Sequence, residues 1–415
     1  MALKIVYKIC CGIDVHKNFV VACIAKTDKQ GVTTYESHHF STYTKGLKQL
    51  LKWLLDRNCK DVCMESTGKY WIPVYNILEK NCSIVLAHPK YVKAIRGKKT
   101  DKKDAKWIAD LFKHDLVAGS FMPPADIRQL RDLMRYRFKL TCFKSSEKNR
   151  YQNCLTVSNI QLASVVSDTF GKSSQKIIAK ILENPDDAFF DIESLIHSSM
   201  KEKLPELELA IDGYITPEQA AKLKIIKEHF DNLESRKAEL EELILALASP
   251  YQQKLDIILT APGIKDTFTA IGIISEIGVN MEAFPSAKHL CSWAGLTPTN
   301  NESAGKKKSV RVSKAGCYIK PLLVQCANAV VKSNKHPEMR NRYLRLRKRR
   351  GHKKAIIAIA RMLLTALYHM LKNNENYNAE LYQKSDLPPV DREITIEQAI
   401  IIARNQGYKI KSATT

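Results

Sequence analysis

Over the first 150 residues the apolar positions change period several times, as a mixed α/β unit requires. Residues 8–24 (KICCGIDVHKNFVVACI) form two apolar runs around the polar break His16-Lys17-Asn18. That pattern predicts a β-hairpin with Asp14 at the end of its first strand. Residues 46–57 set Leu47, Leu50, Leu51 and Leu54 at helical spacing and predict an amphipathic helix. Residues 61–65 (DVCME) predict a short buried strand, ended by Ser66-Thr67-Gly68, with a helix over 74–79 beyond it. Residues 83–87 (SIVLA) predict another strand, stopped at His88-Pro89, and a helix over 101–114 follows.

From about residue 138 the pattern turns helical. Residues 170–217 form a mixed helical segment punctuated by Pro185, Pro205 and Pro217. Residues 222–247 lack Gly and Pro, and Leu223, Ile226, Phe230, Leu233, Leu240 and Leu243 make an apolar seam flanked by Glu and Lys. A coiled-coil or helical-hairpin arm has this pattern, and so has one ordinary core helix. Residues 257–371 read as a mostly helical, basic unit whose last helix, 355–371, is expected in the core. A polar tail carries one more helical stretch, 395–405. The expected organisation is 1–150 α/β, 151–252 helical, 253–375 a helical C-terminal domain and 376–415 a tail, so α/β followed by all-α.

Composition adds one strong statement. Among 415 residues the formal net charge is +23, with 45% hydrophobic positions. The hydrophobic share is that of a globular protein and excludes a wholly disordered or collagen-like chain. The charge excess favours a polyanionic partner, most simply nucleic acid. The 11 cysteines form no CxxC pair and sit mostly among apolar neighbours, so reduced, buried thiols in a cytosolic protein are expected. Asp14 interrupts the only early apolar stretch, which argues against a signal peptide. The 355–371 run contains Arg361 and His369 and reads as too short and polar to span a bilayer, so no membrane partner is expected.

Four acids stand out by their surroundings. Asp14 and Glu65 end apolar strands, where a charge is costly unless it has a partner or a task. Asp101 and Asp104 are three apart in KKTDKKDAKWIAD and share one helix face. Carboxylates converging from neighbouring strand ends and one helix would repel each other and call for Mg²⁺ or Mn²⁺. Two such ions roughly 4 Å apart can activate an attacking oxygen and stabilise a leaving one in phosphodiester chemistry. Lys98, Lys99, Lys102 and Lys103 beside the pair suit a phosphate backbone. A solvated salt-bridged face is the alternative for the pair.

GIDVHK, MESTGKYW and AHPKYVKAIRGKKTDKKDAKWIADLF resemble the N-terminal domain of the DEDD transposases of bacterial insertion sequences, the insertion-sequence-110 family. The resemblance implies a RuvC-like, RNase H-type fold and assigns catalytic metal binding to Asp14, Glu65, Asp101 and Asp104.

The basic unit supplies further candidates. Residues 259–278 (LTAPGIKDTFTAIGIISEIG) read as a helix, a tight Pro262-Gly263 turn and a second helix, resembling a helix-hairpin-helix module in which Gly263 lets backbone approach a phosphate. Ser303, Ser309 and Ser313 lie in a loop with Lys306, Lys307, Lys308, Arg311 and Lys314. A serine among cations can be a phosphoryl nucleophile or simply a phosphate ligand. Residues 343–354 (YLRLRKRRGHKK), with Arg345, Arg347, Lys348, Arg349 and Arg350, read as a backbone-contacting run. The stretch from PGI through SWAGL and ESAGKKKS to KAG resembles the C-terminal transposase domain of the same family. That resemblance implies Ser303 as nucleophile, with Ser309 as the alternative. It also implies DNA as donor and target, a structured guide RNA, a homo-oligomer (dimer or tetramer) whose protomers share active sites, and a bacterial, nucleoid-associated location. A structure-specific nuclease resembling a junction resolvase, and a non-catalytic nucleic-acid-binding protein, are the other readings of the residues.

Overall fold

A computed structural model describes residues 4–92, 100–183, 190–298, 301–303, 306–309, 311–383 and 396–405. The chain divides into two compact units, Met1–Pro123 and Pro124–Thr415. The expected boundary at 150 falls inside a long helix of the second unit, because that helix packs along a partner within that unit.

The first unit runs β1 (Ile9–Val15), β2 (Phe19–Thr27), β3 (Thr33–Ser41), α1 (Thr44–Asp56), β4 (Asp61–Glu65), α2 (Trp71–Leu78), β5 (Ser83–Ala87), α3 (Pro89–Val92) and α4 (Asp101–Lys113). The sheet order is β3-β2-β1-β4-β5. β1, β2 and β3 pair antiparallel, whereas β4 and β5 run parallel to β1. A mixed five-stranded sheet with this meander and crossover agrees with an RNase H-like fold. β3 has no counterpart in the hydrophobic pattern. Its sequence, TTYESHHFS, is polar because it is an edge strand with only partial cover.

Strand alternation sends β1 to two different cores. Cys11, Ile13 and Val15 join Leu47, Leu50, Leu54, Val74 and Leu78 on the side of α1 and α2. Each of these large buried side chains contributes about 1.5–3 kcal/mol. Cys10, Gly12 and Asp14 face α4. The Cys10 thiol donates to the Ala109 carbonyl at 3.7 Å. A Cβ on Gly12 would stand 2.3 Å from the Ala109 nitrogen and 2.4 Å from the Ala105 oxygen. Gly12, with the two alanines one turn apart on α4, therefore lets helix backbone rest on strand backbone. That contact carries the first turn of α4 to Asp14. Gly12→Ala is expected to cost roughly 1–3 kcal/mol through overpacking and to lower the melting temperature in calorimetry. An unchanged melting temperature would mean that α4 does not rest on β1.

In the second unit the helices are α5 (Ala125–Val157), α6 (Leu162–Val165), α7 (Lys172–Glu183), α8 (Leu204–Ile211), α9 (Pro217–Ala248), α10 (Gln252–Leu259), α11 (Thr267–Ile277), α12 (Ala287–Trp293), α13 (Ile319–Lys332), α14 (Pro337–Arg350), α15 (His352–Asn373), α16 (Glu380–Gln383) and α17 (Ile396–Asn405). α5 and α9 pack along each other as a hairpin. The α9 seam buries Leu223, Ile226, Phe230, Leu233 and Leu240, but Ile244 replaces the expected Leu243, which is 59% exposed. Ion pairs Arg137–Glu241 (2.6 Å) and Lys144–Glu234 (2.7 Å) join the two helices. α5 begins at Ala125, earlier than the expected helical start near residue 138, and its first turns bury Ile127 and Leu130.

α15 is longer than the 355–371 run suggested and, by length and composition alone, could cross a membrane. It is instead packed among α10, α12, α13 and α14, with Ile359, Leu363, Leu364 and Leu367 fully buried. The cysteines are free, and nine of them are buried. Burial pushes the Cys10 and Cys63 thiols up to about 12, which leaves them unreactive.

Candidate acid site and nucleic-acid interface

Asp14 lies at the end of β1 and is only 8% exposed. His16 Nε2 is 3.1 Å from Asp14 Oδ2 and 3.5 Å from Asp101 Oδ1. Ligating atoms of Asp14, His16 and Asp101 all fall within 4.8 Å of one another. Asp101 opens α4 and Asp104 follows in the same turn, with Thr100 accepting from the Lys103 N–H as the cap. Burial raises the Asp14 pKa above the usual aspartate value. His16 opposes that shift, while Asp104 and Asp101 add to it by charge repulsion. Asp104 is thus close enough to be felt by Asp14, although it lies outside the tight group.

Glu65 stands on the neighbouring parallel strand. Ile13 pairs with Met64, so Glu65 ends β4 beside Asp14. Its Oε1 accepts from the Thr67 hydroxyl at 3.2 Å, which aims the carboxylate within the loop after β4. The four acids therefore come from three elements to one end of the sheet. His16, two residues beyond Asp14 and readable from the sequence only as a candidate for the rim of the site, joins the group itself. The signal was present in DVH, because i and i+2 on a strand share a face.

A buried carboxylate, two like charges and an imidazole fit a divalent cation better than any protein cation in the group. Asp14, Glu65, Asp101 and Asp104 offer the oxygen donors and His16 one nitrogen, a set compatible with Mg²⁺ and better with Mn²⁺.

The cationic candidates divide by position. Lys102 and Lys103 are exposed on α4, while Lys98 and Lys99 lie outside the described residues. Ser303 has its backbone in strand β6 (Asn301–Ser303), antiparallel to β7 (Lys306–Ser309), which carries Lys306, Lys307 and Lys308. The expected loop is thus a short ribbon, and the side chains of these strands lie outside the described residues. Arg311 and Lys314, beyond β7, are exposed.

Gly263 sits at a positive-φ turn between α10 and α11. Its φ is 77°, and a Cβ there would stand 2.4 Å from the Cys326 carbonyl. The glycine seats the α10–α11 turn on α13 and also lines a cleft beside it. The Asp266 carboxylate also occupies the Thr269 N–H at the start of α11, at 2.9 Å. Lys265, Lys335 and His336 are among the walls of that cleft, which has a volume of about 270 Å³. The basic run begins earlier than expected. On α14, Arg340 and Arg342 precede Arg345, Arg347, Lys348, Arg349 and Arg350, and all seven are exposed around the buried Met339 and Tyr343.

Comparison with known proteins bears on both units. Residues 11–160 match the family DEDD_Tnp_IS110, described as a transposase. Residues 255–344 match the transposase IS116/IS110/IS902 family, and the two matches together span more than half of the chain. The insertion element IS900 uncharacterized 42 kDa protein of Mycobacterium paratuberculosis is 31% identical over 125 residues. That similarity covers 30% of this chain and 31% of the mycobacterial protein, so the match spans under a third of the relative's length.

Proposed function

The chain belongs to the IS110 family of transposases, and from that premise we propose that it cuts and rejoins DNA to move an insertion sequence. The observation that supports this most directly is the meeting of Asp14, His16 and Asp101 at the sheet end where β4 brings Glu65. Asp14, Glu65, Asp101 and Asp104 hold divalent cations. When bound, Mg²⁺ or Mn²⁺ supplies charge neutralisation and Lewis acidity at the phosphodiester. Gly12 and the Thr100 cap hold the two α4 acids against Asp14.

Ser303 is the nucleophile in this reading. Its Oγ bonds to phosphorus and loses its proton, and the displaced strand end leaves as a free hydroxyl. A hydroxyl of the second strand then attacks the phosphoserine, forming the new phosphodiester and returning the serine. Lys306, Lys307, Lys308, Arg311 and Lys314 offset charge on the phosphorane, and α14 grips backbone phosphates. Donor and target DNA are the substrates, a structured RNA selects them, and a dimer or tetramer of the chain does the work.

Two measurements test the reading. The first is strand nicking of element-end DNA with Mg²⁺, Mn²⁺ or chelator, where activity is expected only with the cations. Equal nicking in chelator rejects the acid site. The second is sequencing of nucleic acid that copurifies with the protein from its host. One discrete RNA mapping beside the gene is expected. Heterogeneous host nucleic acid, lost at moderate salt, would reduce the +23 charge to a generic backbone grip and reject the guide.

A further inference from the structure

The acid group continues into a line of aromatic rings. The His16 ring centroid is 4.6 Å from that of Phe19, and Phe19 is 4.4 Å from His39 with planes at 27°. The three rings come from the polar break after β1, the start of β2 and the end of β3. Phe19 packs with Val21, Cys23 and Ala105 on the α4 side of the sheet, and Val21 pairs in register with His39. The neighbouring His38 goes the other way, onto Phe40 and Trp53.

His39 is poorly explained as packing. It is exposed, and its imidazole has no polar partner among the described residues. α4 covers β1 and β2 much more than β3, so the outer face of the stack is not capped by that helix. Lys17, next to His16 in the chain, and Lys102 and Lys103, on the first turn of α4 after Asp101, are all exposed. Tyr43, 81% exposed, stands just past β3, where the Thr42 hydroxyl donates to the Lys17 carbonyl at 2.8 Å. Stacked rings with a free outer face, unused N–H capacity and flanking lysines are the chemistry of a single-stranded nucleic-acid platform.

We propose that His39, backed by Phe19 and His16, stacks an unpaired DNA base next to the phosphate handled by the acids. The substrate is then unpaired at the cut, because a base inside a duplex has both faces covered by its neighbours. The idea rests on the phosphodiester reading of the acid site and adds the state of the strand that enters it. The His39 N–H remains available for a base edge or a phosphate oxygen.

The test uses the full chain in chelator, so that binding is read without cleavage. The probes are a short single-stranded oligodeoxynucleotide carrying the fluorescent base aminopurine and its duplex form. Wild-type protein is expected to quench the single-stranded probe by stacking. His39→Ala should lower single-strand affinity roughly tenfold, abolish the quenching and leave duplex affinity unchanged. His39→Phe should restore both, and His38→Ala, on the opposite face, should alter neither. His39→Ala protein that binds and quenches like wild type overturns the platform. Wild-type protein that quenches normally yet never cuts DNA with Mg²⁺ or Mn²⁺ overturns the transposase reading instead, so the two failures are distinct.

Discussion

Asp14→Asn is expected to lower DNA strand cleavage by roughly a thousandfold or more while DNA binding and its salt dependence stay unchanged. The binding charge resides on lysines and arginines elsewhere, and the substitution removes one oxygen donor from the group around His16 and Asp101. A second effect has the opposite sign. The Asp14 pKa is raised by burial and by its acidic neighbours. The protonated group therefore favours folding below the ordinary aspartate value of 3.8. That stability is lost as pH rises through the raised folded value, beyond which the buried charge opposes folding. Without divalent cations, Asp14→Asn should thus melt higher than wild type at neutral pH, and it should lose the further rise that Mg²⁺ or Mn²⁺ gives wild type. Thermal melts with and without the cations check this. A variant that melts lower and still gains the full cation shift would remove Asp14 from the site. Glu65→Gln should share the loss of cleavage.

Ser303→Ala is expected to abolish strand exchange by about 10⁴-fold or more, the usual scale for removing a covalent nucleophile, and to eliminate any covalent protein–DNA adduct on denaturing gels. Ser309→Ala should retain both. The pair separates a serine recombinase from a plain metal-dependent nuclease, since a nuclease needs the acids and is indifferent to Ser303. If Ser303→Ala kept full exchange and Ser309→Ala lost it, the nucleophile would be Ser309. If both variants exchanged strands normally, no serine of the ribbon would be the nucleophile.

The acids were readable because charge at the end of an apolar run is costly and therefore conspicuous. DVCME ends at Glu65, as the short apolar run suggested, and the Asp101–Asp104 spacing holds on α4. Other features were hidden for physical reasons. β3 carries too few apolar residues to announce a strand, since an edge needs only one partner. The Gly12 contact depends on Ala105 and Ala109, nearly a hundred residues away, and no local pattern reports it. The close approach at Gly263 was hidden because its neighbour, the Cys326 carbonyl, lies far along the chain. The start of α5 was present in the spacing of Ile127, Leu130 and Met134, and the charged residues between them obscured it.

α15 has a further consequence, for the life of the nascent chain. Its 22 residues pass for a membrane span, and the run Arg345–Arg350 just before it has the charge that holds a span's leading end in the cytoplasm. Until α10, α12 and α13 close around it, the insertion machinery meets what looks like an anchor with its orientation signal attached. All three of those helices precede α15 and leave the ribosome first, so its packing partners are already synthesised when the hazardous segment appears.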